Sequence, residues 1–291
     1  MPTLSPRFKA NILLLLTAAV WGIGFVAQRS AVEDGMGSIS FTGIRFFLGW
    51  LCIQPFIFKL SREKRKNYSS KYLQLLLCLF MLVGAVLQQI GMETTSASKA
   101  GFLTSIYVVL TPILAAIWSH KIKLKTWAGA FFVIVGLYYL SMKNFEIKTG
   151  DLLVILGACM WAGQVLVLDV LTKIVNPIML ASRQFLFVAC ICLIWGGTFE
   201  NQNADIWLNA IPEILFSGFF SIGIAFTFQA IAQVHAPPSD AAILMSCEAV
   251  FAAIFGFLIL GELLNTRELI GCLLVFAGVL VSQIRWKNLL H

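Results

Sequence analysis

Apolar side chains occupy ten long runs of the chain, and short polar stretches separate them. Crossing a hydrocarbon core of about 30 Å takes roughly 20 mostly apolar residues in a helix. The pattern therefore predicts membrane-spanning helices over 10–29, 38–58, 70–91, 97–118, 125–142, 151–170, 177–196, 210–232, 239–260 and 266–285. Prolines punctuate the run starts: Pro177 opens the seventh span, Pro212 lies in the first turn of the eighth, and Pro237-Pro238 precede the ninth. A first-turn proline lacks only an N–H that has no helical partner anyway. Thr111-Pro112 is different, because it lies inside the fourth span, where proline predicts a kink.

Composition agrees with this reading: 59% of residues are hydrophobic and 12% charged, too little charge and too much apolar surface for one soluble core. The net charge of +7 does not form a nucleic-acid-binding stripe, because the basic residues sit in loops. With the N-terminus inside, Arg7, Lys9, Lys59, Arg62, Lys64, Arg65, Lys66, Lys71, Lys121, Lys123, Lys125, Lys173, Arg285 and Lys287 face the cytoplasm, fourteen in all. Five (Arg29, Lys99, Lys143, Lys148 and Arg267) face the other side. This bias places both termini in the cytoplasm and the chain as a multi-pass protein in the plasma (inner) membrane. Arg7 and Lys9 before the run 12–20 imitate a signal peptide, but nine further spans favour an uncleaved first helix. The seven cysteines fall inside apolar runs without CxxC spacing and read as small buried hydrophobes.

The chain repeats itself. A shift of 141 residues lays Ser98-Lys99-Ala100-Gly101-Phe102-Leu103-Thr104-Ser105 over Ser239-Asp240-Ala241-Ala242-Ile243-Leu244-Met245-Ser246. Nearby offsets pair Trp21 with Trp161, Arg45 with Arg183, Gln88 with Gln229, Gly129 with Gly271 and Gly136 with Gly278. The predicted halves, 1–148 and 149–291, hold five spans each. An odd number makes the second half enter the membrane from the opposite side, so the fold class is all-α integral membrane with two inverted five-helix repeats.

The stretch Trp21-Gly22-Ile23-Gly24-Phe25-Val26-Ala27-Gln28-Arg29 resembles the first-helix signature of EamA-type transporters in the drug/metabolite transporter superfamily. Lys99-Ala100-Gly101-Phe102, the run Ser246-Cys247-Glu248-Ala249-Val250-Phe251-Ala252-Ala253, and Leu260-Gly261-Glu262 extend the likeness, which covers residues 10 to 285. Ala249 stands where the family typically has proline, and Gly24 where many members carry asparagine. The resemblance implies transport, and it adds Lys99 to the site candidates.

Inverted repeats place a substrate site at the midplane between the halves. Glu248, about ten residues into the ninth span, is an intramembrane acid and so a functional candidate and a proton carrier. Its repeat mate is Tyr107. Thr104, Tyr107 and Thr111 form one stripe of the fourth helix, and Met245, Glu248 and Ala252 the matching stripe of the ninth. The competing reading of Glu248 is a structural carboxylate that locks helices together. Trp21, Phe25 and Gln28 share a face of the first helix, Trp161 and Gln164 one of the sixth, and Gln88, Gln89 and Gln229 add amides. Each of these also serves as packing glue between helices. Arg45 and Arg183 fit either snorkelling to headgroups or an anion-binding or gating role. Glycines seven apart, Gly129 with Gly136 and Gly271 with Gly278, mark close-packing scaffold faces.

No P-loop, GxSxG elbow, HExxH or dinucleotide glycine loop occurs, and His120, His235 and His291 are far apart. Neither an enzyme, a cofactor nor a metal site is expected, and without a Walker motif transport would run on solute gradients, exchange or protons. The reading is a secondary exporter or exchanger of small metabolites such as amino acids or amphipathic solutes, a monomer or homodimer in the bilayer. The alternatives are an organic-phosphate or nucleotide-sugar carrier, which needs Arg45, Arg183 or Lys99 to face the cavity, and a non-transporting lipid-handling or structural subunit.

Overall fold

The computed structural model describes residues 5–60, 71–117, 122–141, 148–260 and 265–283. Gly261-Glu262, His120, His291 and the basic residues Arg62, Lys64, Arg65, Lys66, Lys121, Lys143, Arg285 and Lys287 lie outside them. The described chain is helical throughout: α1 Pro6–Glu33, α2 Ser38–Phe58, α3 Lys71–Gly91, α4 Ala97–Ser105, α5 Tyr107–Ile117, α6 Leu124–Ser141, α7 Thr149–Thr172 and α8 Pro177–Phe199. Short helices α9 Ala204–Asn209 and α10 Ile211–Leu215 lead into a π-helical segment, Phe216–Phe226, followed by α11 Thr227–Gln233, α12 Pro238–Met245, α13 Glu248–Leu260 and α14 Thr266–Gln283.

Helix starts follow local chemistry. The Ser5 hydroxyl and the Asn176 side chain accept from backbone N–H groups of the first turns of α1 and α8, and Pro177, Pro212 and Pro238 stand at first-turn positions. Eight helical stretches of the described residues are long and apolar enough to cross a membrane. Three of these are composite: Ala97–Ile117 joins α4 to α5, Ile211–Gln233 joins α10 to α11 through the π segment, and Pro238–Ile259 joins α12 to α13. The apolar stretches of α6 and α14, Leu124–Tyr139 and Leu269–Gln283, are shorter. Large apolar side chains such as Leu16, Phe56, Ile117, Leu258 and Leu273 crowd the exposed surface, while Gln28, Arg45, Gln89, Gln164 and Glu248 are buried. Lipid is the solvent that this arrangement fits.

Three spans depart from the continuous α-helices expected of them. The fourth span breaks at Ile106, six residues before Pro112, and α5 contains the proline. The ninth span is also broken, between Met245 and Glu248, where the Ser246 hydroxyl turns back onto the Ile243 carbonyl at 2.7 Å and competes with the backbone ladder. Ile106 and Cys247, the breaking residues, are 141 apart. The eighth span, expected as a plain helix, carries eleven π-helical residues.

The helices pair across the two halves: α2 against α8, α3 against α7, α6 against α14, and α1 against α13 and the π segment. The expected glycine faces meet. A Cβ added to Gly129 would lie 2.8 Å from the Gly278 carbonyl oxygen, and one added to Gly136 would lie 2.7 Å from that of Gly271. The crossed pairing of 129 with 278 and 136 with 271 makes α6 and α14 antiparallel. Backbone cannot retreat as a side chain can, so Gly136→Val forces the pair apart. We expect it to lower thermal stability in detergent by about 1–3 kcal/mol, while Gly197→Ala, with nothing within 4 Å of the added carbon, leaves the melting temperature unchanged.

Candidate functional site

The helix breaks face a cavity at the centre of the bundle. Thr104 lies in the last turn of the first half of one broken span and Tyr107 begins its second half; Met245 ends and Glu248 begins the halves of the other. All four line the cavity. Trp21, Phe25 and Gln28 reach it from α1, Gln88 from α3, Trp161 and Gln164 from α7, and Gln229 from α11. Arg45 from α2 completes the wall. The space open to water-sized molecules is about 40 Å3, room for two or three waters.

Two amide chains hold this wall. In one, Trp161 Nε1 donates to Gln88 Oε1 at 2.9 Å, Gln88 Nε2 to Gln28 Oε1 at 3.2 Å, and Gln28 Nε2 to the Gly24 carbonyl at 3.1 Å. In the other, Gln229 Nε2 donates to Gln164 Oε1 at 3.0 Å, Gln164 Nε2 to Gln184 Oε1 at 3.2 Å, and Gln184 Nε2 to the Leu180 carbonyl at 3.2 Å. A chain of oriented amides is rigid because each donor is committed. The Gln229 Oε1 atom has no donor, and the hydroxyls of Thr104 and Tyr107 are likewise buried without a hydrogen bond. Gln89 points elsewhere, its amide donating to the Gln28 carbonyl at 3.3 Å.

The two charged groups of the cavity are the least satisfied. Glu248 is 2% exposed and accepts one hydrogen bond, from the Ser105 hydroxyl at 3.3 Å. Tyr107 lies within electrostatic range of its carboxyl but makes no hydrogen bond to it of ordinary geometry. Arg45 is 3% exposed; its guanidinium lies 5.4 Å from the Phe41 ring centroid and 5.6 Å from that of Phe46. Its Nε has no acceptor. Among the described residues neither group has an ion-pair partner. A buried ion costs several kcal/mol unless a counter-charge or water compensates it, so either group, when ionised, needs a partner from the cavity.

Aromatic rings make the apolar side. Phe226 sits 4.5 Å from Trp21, 5.6 Å from Trp161 and 6.3 Å from Phe46, centroid to centroid. Phe226 belongs to the π segment, whose wide turns are tied to α1: Trp21 Nε1 donates to the Ser221 carbonyl at 3.2 Å, and the Thr17 hydroxyl to that of Ala225 at 3.1 Å. Ser221, Ile222 and Phe226 all line the cavity; Ile222, Phe226 and Gln229 stand at i, i+4 and i+7, a stripe that nothing singles out in a span of continuous apolar residues. Phe46 adjoins Arg45, and only the position of Arg45 would have revealed it.

The remaining candidates lie elsewhere. Arg183 is half-buried and hydrogen-bonded to the Gln74 side chain, outside the cavity. Lys99 pairs with Asp151 at 2.6 Å, and Asp240 with Arg7 at 2.5 Å. Thr111 and Ala252 are buried but do not line the cavity.

The fold and cavity define a multi-pass helical membrane protein with a central chamber of polar and aromatic lining. The chain matches the model of the EamA-like transporter family over residues 8–142 and again over 148–283; it belongs to that family. An uncharacterized transporter of Archaeoglobus fulgidus is 29% identical over 281 residues, which cover 96% of this chain and 87% of that one. An uncharacterized transporter of Methanothermobacter thermautotrophicus is 24% identical over 76% of this chain and 66% of its own length. A crystal structure 14% identical in sequence overlays with a TM-score of 0.79 across 99% of this chain and the whole of the other, a likeness of fold alone.

Proposed function

We propose that the chain is a secondary transporter of small zwitterionic metabolites, amino acids among them, working by alternating access. The observation that carries this is a pair of buried side chains of opposite charge type lining one cavity, Arg45 and Glu248, neither with an ion-pair partner among the described residues. A solute carboxylate on Arg45 and a solute ammonium on Glu248 would satisfy both, with its side chain against Trp21, Trp161 and Phe226. The amides and free hydroxyls serve as orienting contacts.

In this reading α6 and α14 are the fifth and tenth of ten spans. The two halves, meeting near residue 148, are inverted repeats. Helix breaks 141 residues apart and the two successive family matches support it, as does the packing of α1 on the eighth span and of α3 on α7. Half-helix ends at the midplane are the usual place for substrate and coupling-ion sites in such repeats. The fourteen-to-five bias of basic residues supports cytoplasmic termini in the plasma membrane, and Glu248 is the proton carrier if protons drive the cycle.

Arg45 also supports a second reading, a carrier of organic anions such as phosphates. A flux panel separates the two. Protein in liposomes should move a zwitterion saturably and discriminate against analogues that lack either charge. Equal uptake of a phosphate ester and no uptake of zwitterions would favour the second reading, and no saturable flux of any solute would reject both.

A further inference from the structure

Two ion pairs that the cavity does not use are built to one plan. Asp151, third residue of α7, accepts from Lys99 Nζ on Oδ2 at 2.6 Å and from the Thr95 hydroxyl on Oδ1 at 2.8 Å. Asp240, third residue of α12, accepts from Arg7 Nη2 on Oδ2 at 2.5 Å and from the Thr126 hydroxyl on Oδ1 at 3.3 Å. Both aspartates are buried, at 2% and 8% exposure. Each pair joins the first turn of one half's opening helix, α1 or α7, to the first turn of the other half's broken span, α12 or α4. Lys99 and Asp240 are 141 residues apart, the repeat spacing, so the two pairs are equivalent with their charges exchanged.

They close opposite mouths. Arg7 begins α1, whereas Arg29 near its far end donates to the Met92 and Glu93 carbonyls, beside the loop that leads to Thr95 and Lys99. The 28 residues of α1 span about 42 Å, so the pairs lie at the two faces. Tyr107 is eight residues beyond Lys99, and Glu248 eight beyond Asp240, about 12 Å of helix each. The central cavity therefore lies between the pairs. Outside the Arg7–Asp240 pair a vestibule of about 610 Å3 opens, lined by Arg7, Asn11, Lys123, Ser239 and Asp240.

We propose that Lys99–Asp151 and Arg7–Asp240 are the two latches of the transport cycle, each holding one mouth shut. Opening a mouth parts α7 from α4, or α1 from α12, and breaks one latch while the other keeps its pair. The structure has both closed and is the occluded state, with the vestibule of about 610 Å3 at the Arg7 face. The first half supplies both bases, Arg7 and Lys99, and the second both acids, Asp151 and Asp240. The proposal rests on the transport reading, and its test needs no solute.

The test is the labelling of a single cysteine at Thr104, inside the cavity, in liposomes with the native cysteines replaced. A membrane-impermeant thiol reagent is applied from one face at a time. Asp151→Asn should raise the labelling rate about tenfold from the Lys99 face and leave the Arg7 face unchanged; Asp240→Asn should do the reverse. The swapped pair, Lys99→Asp with Asp151→Lys, should return the rate toward the parent value, which a merely unfolded variant cannot do. Labelling that rises from both faces together, or from neither, overturns the latches. Side-specific labelling in a protein without flux would overturn the transport reading and leave the latches standing.

Discussion

Arg45→Gln should abolish recognition of the solute carboxylate while leaving the protein at least as stable as the parent. Removing one partner of a desolvated charge pair typically costs 2–5 kcal/mol of binding, so flux at sub-saturating zwitterion should fall by about 30-fold or more. An amine analogue without the carboxylate should lose little, because it never used the guanidinium. Stability should move the other way. Arg45 is 3% exposed with an unpaired Nε and no ion-pair partner among the described residues, and replacing such a cation by a neutral amide removes a desolvation cost. A melting temperature equal to or above the parent's, together with lost flux, is the signature of a group kept for function at the expense of stability. Arg45→Lys refines the result: an ammonium keeps the charge but not the two-pronged geometry, and intermediate flux is expected. If Arg45→Gln melts early and transports what survives at the parental rate, the arginine is packing and the zwitterion reading fails.

How far such a site is legible in sequence depends on the period of the element that carries each residue. Thr104, Tyr107, Met245 and Glu248 were visible because a helical stripe and the 141-residue shift both point to them. Two members of each stripe, one on either side of the break at Ile106 or Cys247, face the cavity, while the third, Thr111 or Ala252, does not. The breaks themselves were hidden. Pro112 drew attention to the wrong place, and the serine that bonds back at the second break, Ser246, has no signature that separates it from any other helical serine. The π segment, Phe216–Phe226, was hidden for a different reason: nothing singles out a stripe in a span of continuous apolar residues. Arg45 and Arg183 show the limit of reasoning by repeat. They match in sequence, yet one lines the cavity and the other is tied to Gln74. Equivalence of backbone position does not oblige two halves to spend equivalent side chains on one job, and a single cavity needs only one cation.

Glu248→Gln should separate the two roles that one carboxylate can hold. Glutamine keeps the shape and can still accept the Ser105 hydroxyl, which lies 3.3 Å from Oε1, so the break in the ninth span should survive and thermal unfolding should be unchanged or later. The negative charge is gone. Zwitterion flux should therefore fall by about 30-fold or more, by the same pairing argument as for Arg45, whereas a carboxylate analogue without the ammonium should be carried as well as before. If the acid also carries protons, an imposed pH gradient should drive net flux in the parent and have no effect on the residual flux of the variant, since glutamine does not titrate. The structural alternative makes the opposite forecast: a carboxylate that only locks α4 to α13 through Ser105 would lower the melting temperature when replaced and leave the ranking of solutes intact. Glu248 and Arg45 thus give reciprocal selectivity losses, amine-dependent in one variant and carboxylate-dependent in the other. A membrane helix that merely tolerates buried charges has no reason to produce that reciprocity, whereas a chamber that binds one solute by both ends requires it.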